Sequence, residues 1–189
     1  MKYFYLVLLS IFSVVGISVV YADNIRTDLS ENLLRLHIIA NSDSEFDQSV
    51  KLSVRDAILE SAKDNPERKH IETIVANTLT ELNAGYGFNT EITQTFVPEK
   101  TYKNIRLPEG TYNCINITLG NGNGKNWWCV AYPPLCFTEE VFGELSQNGE
   151  MLLEGRLDRE SFKTIIYNDD VNVRFWIVDE FIKLKNRLW

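Results

Sequence analysis

The stretch Leu33-Leu34-Arg35-Leu36-His37-Ile38-Ile39-Ala40-Asn41-Ser42-Asp43-Ser44 decides how the rest of this chain is read. Leu34, Leu36 and Ile38 alternate with Arg35 and His37, the period of a β-strand with one wetter face. Asn41 to Ser44 then stop the strand, because their short polar side chains compete for backbone hydrogen bonds and favour caps. Behind them the period changes. Ser42 and Glu45 have capping-box spacing, the acidic residues at 43, 45 and 47 suit a helix N-terminus, and Phe46, Val50, Val54, Ile58 and Ala62 recur every four residues. Lys51 and Arg55 fall on a different face. A strand feeding an amphipathic helix implies a sheet with helices packed on it.

Further along, Pro66 suits the first turn of a second helix, whose stripe is Ile71, Ile74, Val75, Thr78, Leu79 and Leu82. Gly85 or Gly87 can end it with a left-handed cap. From Phe88 the period is two again, with Phe88, Ile92 and Phe96 on one face and Thr90 and Gln94 between them. Leu107-Pro108-Glu109-Gly110 has Pro and Gly placed for a tight turn. After it Ile115, Ile117 and Leu119 line one side of a strand, and Tyr112, Cys114, Asn116 and Thr118 the other. These two strands are expected to pair antiparallel. Gly120-Asn121-Gly122-Asn123-Gly124 connects to a third run, Trp127 to Tyr132, which Pro133-Pro134 must end because neither can donate a ladder hydrogen bond. Residues 138–170 read as short elements and turns, and Phe175, Val178, Ile182 and Lys185 place a final helix over 174–187. The expectation is one α+β domain, residues 23–189, with a small, mainly antiparallel sheet, two N-terminal helices and a C-terminal helix.

Residues 1–22 stand apart. From Tyr3 to Tyr21 there is no charge, and at about 1.5 Å per residue such a helix just crosses a hydrocarbon core of about 30 Å. Val20-Tyr21-Ala22 before Asp23 has the small or compact residues of a signal-peptidase site, and Gly16 suits a helix break ahead of it. Two readings follow, a cleaved signal peptide or an uncleaved anchor, and both export the rest. Residues 23–32 are polar and read as a short flexible lead.

The 189 residues carry a formal charge of -7, with 44% hydrophobic and 12% aromatic side chains. That is ample for a core, and no basic cluster offers the counterion release that nucleic-acid binding needs. Lys125 is followed by Asn126 and position 119 is Leu, so the glycine run is a turn between strands and not a phosphate loop. His37 and His70 with Cys114, Cys129 and Cys136 fit no zinc pattern. A thiol hydrolase would need Cys129 beside His37, and spacing does not show that. No metal or cofactor is expected.

Outside the cytoplasm a cysteine pair can persist as a disulfide, and three thiols allow three pairings. A Cys129–Cys136 bond would staple the Pro-Pro corner, worth about 2 kcal/mol. Adjacent Trp127 and Trp128 point to opposite faces of a strand, so one can enter the core while the other is exposed. The segment from Trp127 to Phe137 is therefore either a rigid binding surface or a heavily packed core strand and corner.

Several of these stretches resemble the stage II sporulation protein R family. They are Arg35-Leu36-His37-Ile38-Ile39-Ala40-Asn41-Ser42-Asp43-Ser44 with Asp47-Gln48 and Lys51 to Asp56, and Tyr102 through Leu107-Pro108-x-Gly110-x-Tyr112. Also similar are Gly124 to Cys129 through Pro133-Pro134-Leu135-Cys136-Phe137, and Val173 to Glu180. Cys114 is not part of that pattern. The resemblance implies a non-catalytic signal made in the forespore of endospore-forming bacteria and exported between the two membranes. Its implied partner is a mother-cell membrane protein with an aspartic-type protease domain, which removes the pro-sequence of the early mother-cell sigma factor. The expected contact patch, chosen for its rigid aromatic and proline surface, is Trp127, Trp128, Tyr132, Pro133, Pro134 and Phe137, with His37, Asn41 and Asp43 as a second set. Membrane contact is expected only through the N-terminal segment. An exported hydrolase using Cys129 and His37 and a cell-wall-binding module using exposed Trp are the rival readings.

Overall fold

The computed structural model describes residues 2–61, 67–102, 105–133 and 147–166. The alternating stretch forms strand β1 (Leu34–Ile39), and it lies inside the sheet, with a neighbour on either side. A long helix, α1 (Lys2–Asn32), precedes it, and α2 (Glu45–Ser61) and α3 (Arg68–Glu81) follow. Strand β2 (Phe88–Val97) brings the chain back, and a small hairpin of β3 (Lys100–Tyr102) and β4 (Ile105–Leu107) comes next. Then β5 (Gly110–Leu119) turns back along β2, and β6 (Asn126–Tyr132) completes a sheet of order β2-β5-β1-β6. Two short helices, α4 (Gln147–Glu154) and α5 (Arg159–Ile165), lie beyond it.

The expected β2–β5 pair forms, Phe88 opposite Leu119 and Ile92 opposite Ile115, and β6 also runs antiparallel to β1. The pair β1–β5 is parallel, Leu36 beside Ile115 and Ile38 beside Ile117. Because β2 and β5 each reverse the chain, β5 must run the same way as β1. The sheet is small, mixed and mainly antiparallel, in a single α+β domain.

Helices α2 and α3 cover one face. Val50, Val54 and Ile58 of α2 and Ile71, Val75 and Leu79 of α3 meet Leu36, Ile38, Ile115, Ile117 and Leu119. Each aliphatic chain fully buried there is worth about 1.5–3 kcal/mol. A second cluster gathers Ile25, Leu29, Leu33, Val97, Leu107, Tyr112, Val130, Leu153 and Ile165. It explains two departures from expectation. Residues 23–32 are not a flexible lead, because Ile25 and Leu29 keep them helical by packing into this cluster. Nor does Arg35 face water: it is fully buried, with Nε donating to the Cys129 carbonyl at 3.2 Å and the guanidinium 5.3 Å from the Tyr112 ring centroid.

The helix starts and stops also shift. The N-cap of α2 is Ser44, whose hydroxyl accepts the Asp47 N–H at 3.1 Å, and Ser42 instead donates to the Asp47 carboxylate. Phe46, assigned to the apolar stripe, is 50% exposed, while Lys51 and Arg55 are 4% and 6% exposed, Lys51 reaching the Lys125 carbonyl and Arg55 lying over the Trp127 ring. Helix α3 ends on Asn83, at φ 51, with the Ala84 N–H reaching the Leu79 carbonyl, so the left-handed cap precedes both glycines. Leu82 closes α3 as its C-cap and stays outside the core. Ile92 and Phe96 of the edge strand β2 are exposed at 40% and 54%. The expectations for Ala62, Pro66 and the final helix over 174–187 fall outside the described residues.

Candidate functional site

At one end of the sheet, the turn after β1 and the glycine-rich loop before β6 are clasped together. The Asn41 side-chain oxygen accepts the Asn121 N–H at 2.9 Å, and its backbone carbonyl accepts the Asn123 N–H at 3.1 Å. Asp43 Oδ1 accepts the Lys125 N–H at 2.8 Å, and the Ala40 carbonyl accepts the Gly124 N–H at 2.9 Å. Lys51 Nζ closes the arrangement from α2, donating to Gln48 Oε1 and, at 3.1 Å, to the Lys125 carbonyl. This close approach is why the loop is glycine-rich. A Cβ at Gly124 would run into the Ser42 carbonyl, and Gly120, at φ +53, would meet the Asn41 amide.

Asp47 braces the clasp from below. Burial alone would raise its carboxyl, but hydrogen bonds, chiefly from Ser42 and Asn41, outweigh burial and hold it below the usual range. Its Oδ2 lies 2.9 Å from Asn41 Nδ2 and 2.5 Å from Ser42 Oγ. Asn41 and Asp43 thus each have a hydrogen-bonding task inside the domain.

Strand β6 leaves the clasp carrying the two tryptophans to opposite faces. Trp127 packs at the rim of the helix-side core under the Arg55 guanidinium, 4.5 Å from its ring centroid. Its Nε1 is buried without a hydrogen-bond partner among the described residues. Trp128 lies directly across from His37 in the β1–β6 ladder, and the two rings stack at 3.7 Å and 7°. Behind them Asn116 acts as a hub. Its Nδ2 donates to the Thr93 and Thr95 hydroxyls, and its side-chain oxygen lies 3.2 Å from His37 Nδ1. Burial lowers the His37 pKa, and the Asn116 and Asn126 side chains only partly oppose it. At the far end of β6 the Arg156 guanidinium sits over the Tyr132 ring, 3.9 Å from its centroid, and is hydrogen-bonded to its hydroxyl.

Among the described residues, the expected set is therefore divided between places. His37 and Trp128 touch, Asn41 and Asp43 form the clasp beside them, and Trp127 lies on the other face. Tyr132 and the buried Pro133 mark the opposite end. Pro134, Phe137 and Cys136 lie outside the described residues, and with them the Cys129–Cys136 pairing. The spacing did not point to Arg55 or Asn116, because each acts across a tertiary contact.

Among the described residues, the Cys129–His37 pair that a thiol hydrolase would need is not brought together. Cys129 is opposite Leu36 in the helix-side core, whereas His37 is on the other face of the same sheet. Cys114 shares the histidine's face but is a buried free thiol, pushed up by burial to about 12, so it stays protonated. Among the described residues no three His, Cys, Asp or Glu side chains gather as metal ligands.

The sequence profile of stage II sporulation protein R matches residues 30–141, more than half of the chain. The chain belongs to the stage II sporulation protein R family. A relative, stage II sporulation protein R of Bacillus subtilis (strain 168), is 35% identical over 144 residues. That alignment covers 68% of this chain and 64% of the relative, so the chain spans somewhat under two thirds of the relative's length. No solved structure matches. The family takes its name from sporulation. The matched span contains the clasp, the His37–Trp128 stack and Trp127, so the site described here lies within the family region.

Proposed function

We propose that this chain is an exported signal of endospore formation that acts by binding and not by catalysis. Made in the forespore, it enters the space between forespore and mother-cell membranes. There it engages a mother-cell membrane protein with an aspartic-type protease domain and triggers processing of the pro-form of the early mother-cell sigma factor. The observation that carries this reading is the pair of tryptophans on β6, the outermost strand at its end of the described sheet. Each ring is held rigidly, one by Arg55 and one by His37, which lowers the ordering cost of binding a partner. The apolar stretch of α1 supports export. The placement of His37 and Cys129 on opposite faces argues against the hydrolase.

Activation requires that the domain bind the active arrangement of its partner more tightly than the inactive one, since equal binding shifts nothing. In this reading Trp127, Trp128, Tyr132, Pro133, Pro134 and Phe137 supply the contact, and a Cys129–Cys136 bond fixes the corner. Asn41 and Asp43 hold the edge strand in position through the clasp. Trp127→Ala and Trp128→Ala are expected to abolish sigma-factor processing while export, circular dichroism and solubility of the domain persist. Normal processing with both tryptophans replaced would remove the patch.

A further inference from the structure

We propose that the free edge of β2 is an interface between two copies of this chain, which join their sheets by antiparallel pairing centred on Ile92. Strand β2 pairs with β5 along its whole length, from Phe88 opposite Leu119 to Val97 opposite Gly110. Its other edge meets no strand among the described residues. Edge strands are normally blunted by shortness, lysine, proline or a bulge, since a row of unpaired backbone groups invites another strand. Strand β2 uses none of these devices. It is 10 residues long, holds no Lys or Pro, and keeps an unbroken register with β5. Glu91 is its one charge, and its middle, from Glu91 to Gln94, is exposed.

The strand fits a second copy of itself. Residues directly opposite in an antiparallel pair point to the same face, so a symmetric pair must centre on one residue that meets itself. Centred on Ile92, the pairing sets Ile92 against Ile92, Phe88 against Phe96 and Thr90 against Gln94 on one face. On the other face Asn89 meets Thr95 and Glu91 meets Thr93. The exposed Ile92 and Phe96 are thereby covered by apolar partners. The Thr93 hydroxyl oxygen accepts the Asn116 amide at 3.1 Å, which leaves its proton for the Glu91 carboxylate of the second copy. Neighbouring centres fit less well. On Glu91, two carboxylates would face each other. On Thr93, Ile92 would meet Gln94 and Phe96 would meet Thr90. On Gln94, the ladder shrinks to Glu91 through Val97, because Pro98 ends it, and Phe88 is left out.

The joined sheet runs β6-β1-β5-β2-β2-β5-β1-β6, with α2 and α3 of both copies on one face. Each end carries the Trp127–Trp128 strand, so one particle offers two identical contact edges. That consequence rests on the binding reading, whereas the association does not, and its test reads no signalling output. A single strand pair is at the small end of specific interfaces, so the expected affinity is micromolar.

The test is sedimentation equilibrium of the full chain in detergent, from about 1 to 200 µM. The protein mass is expected to rise from the chain's 21.8 kDa to twice that value. Ile92→Lys sets two ammonium groups face to face at an exposed position and is expected to weaken the association about tenfold, with circular dichroism unchanged. Mild oxidation of two cysteine variants then reads the register. Ile92→Cys is expected to form a disulfide-linked pair, because opposite Cα atoms lie about 4.5–5.5 Å apart. Phe96→Cys, on the same strand and more exposed, is expected not to, because its two copies stand about 27 Å apart. Should Ile92→Lys lose its fold, the cysteine variants decide alone. A parent chain that stays at 21.8 kDa throughout would overturn the interface. So would a pair that a folded Ile92→Lys leaves intact, which puts the contact elsewhere, α1 included, or equal cross-linking at both cysteine positions.

Discussion

The two faces of the β1–β5–β6 sheet are built from the same strands and solve different problems. Under α2 and α3, the side chains of Leu36, Ile38, Ile115, Ile117 and Leu119 form one uniform apolar layer. On the opposite face the same strands carry Arg35, His37, Cys114, Asn116 and Trp128. That face is divided along its length. Under α1 and α5 it is apolar, and toward the clasp it becomes a hydrogen-bonded lattice centred on Asn116. The apolar layer gains stability in proportion to area and tolerates exchange of similar shapes. The polar lattice contributes less net free energy, but each member has few acceptable partners, so it fixes geometry. The aromatic edge and its supports, Arg55 and His37, are attached where the two faces meet at β6.

Deleting apolar volume should therefore be the strongest blow. Ile117→Ala, at a fully buried position between Ile38 and Thr90, is expected to cost about 3–4 kcal/mol. Urea unfolding of the full chain in detergent, followed by tryptophan fluorescence, measures it. A loss under about 1 kcal/mol, the range of a site that collapses freely, would mean that the helix-side face is not the main source of stability.

How much of this was legible depends on how local each cause is. The alternation in β5 and the stripe Val50, Val54, Ile58 were readable, because a single neighbour layer dictates each period. The opposed tryptophans followed from strand geometry alone. The parallel β1–β5 pairing did not, since strand direction is set by how many reversals separate two strands. Residues 23–32 misread because Asp23, Arg26, Asp28 and Glu31 hide two buried aliphatic residues, Ile25 and Leu29, a helical turn apart. The burial of Lys51 and Arg55 was not legible for a related reason: it comes from the Lys125 carbonyl and the Trp127 ring, which meet α2 only in the folded domain. The glycines at 120, 122 and 124 announced a turn, but the clasp to Asn41 and Asp43 is a tertiary fact.

The clasp joins the two faces, and its test is intermediate in size. Gly124→Ala places a methyl against the Ser42 carbonyl and Ala40, and backbone on both sides must give way. A cost of about 1–3 kcal/mol is expected. Amide exchange of Asn121, Asn123 and Lys125 should speed up more than exchange in the middle of β5, because their acceptors are Asn41 and Asp43. Uniform acceleration across the sheet would show instead that the loop is not a separate unit.

The smallest effect expected is also the one that most sharply separates the faces, because it has a sign. Burial lowers the His37 pKa from 6.5, so the folded domain refuses a proton that the unfolded chain accepts. Between the lowered value and 6.5 the unfolded chain binds more protons, and stability must rise with pH across that window and level off above it. Protonation would put a charge on a ring stacked on Trp128, with its Nε2 buried and without a partner among the described residues. Replacing His37 with Asn keeps a polar side chain on the strand and removes this titration. Urea midpoints measured from pH 5 to 8 should show a shallower acid-side slope in His37→Asn than in the parent chain. An unchanged slope would mean that the imidazole is as free to ionise in the folded domain as in the unfolded chain, and that the polar face is wetter than its hydrogen bonds imply.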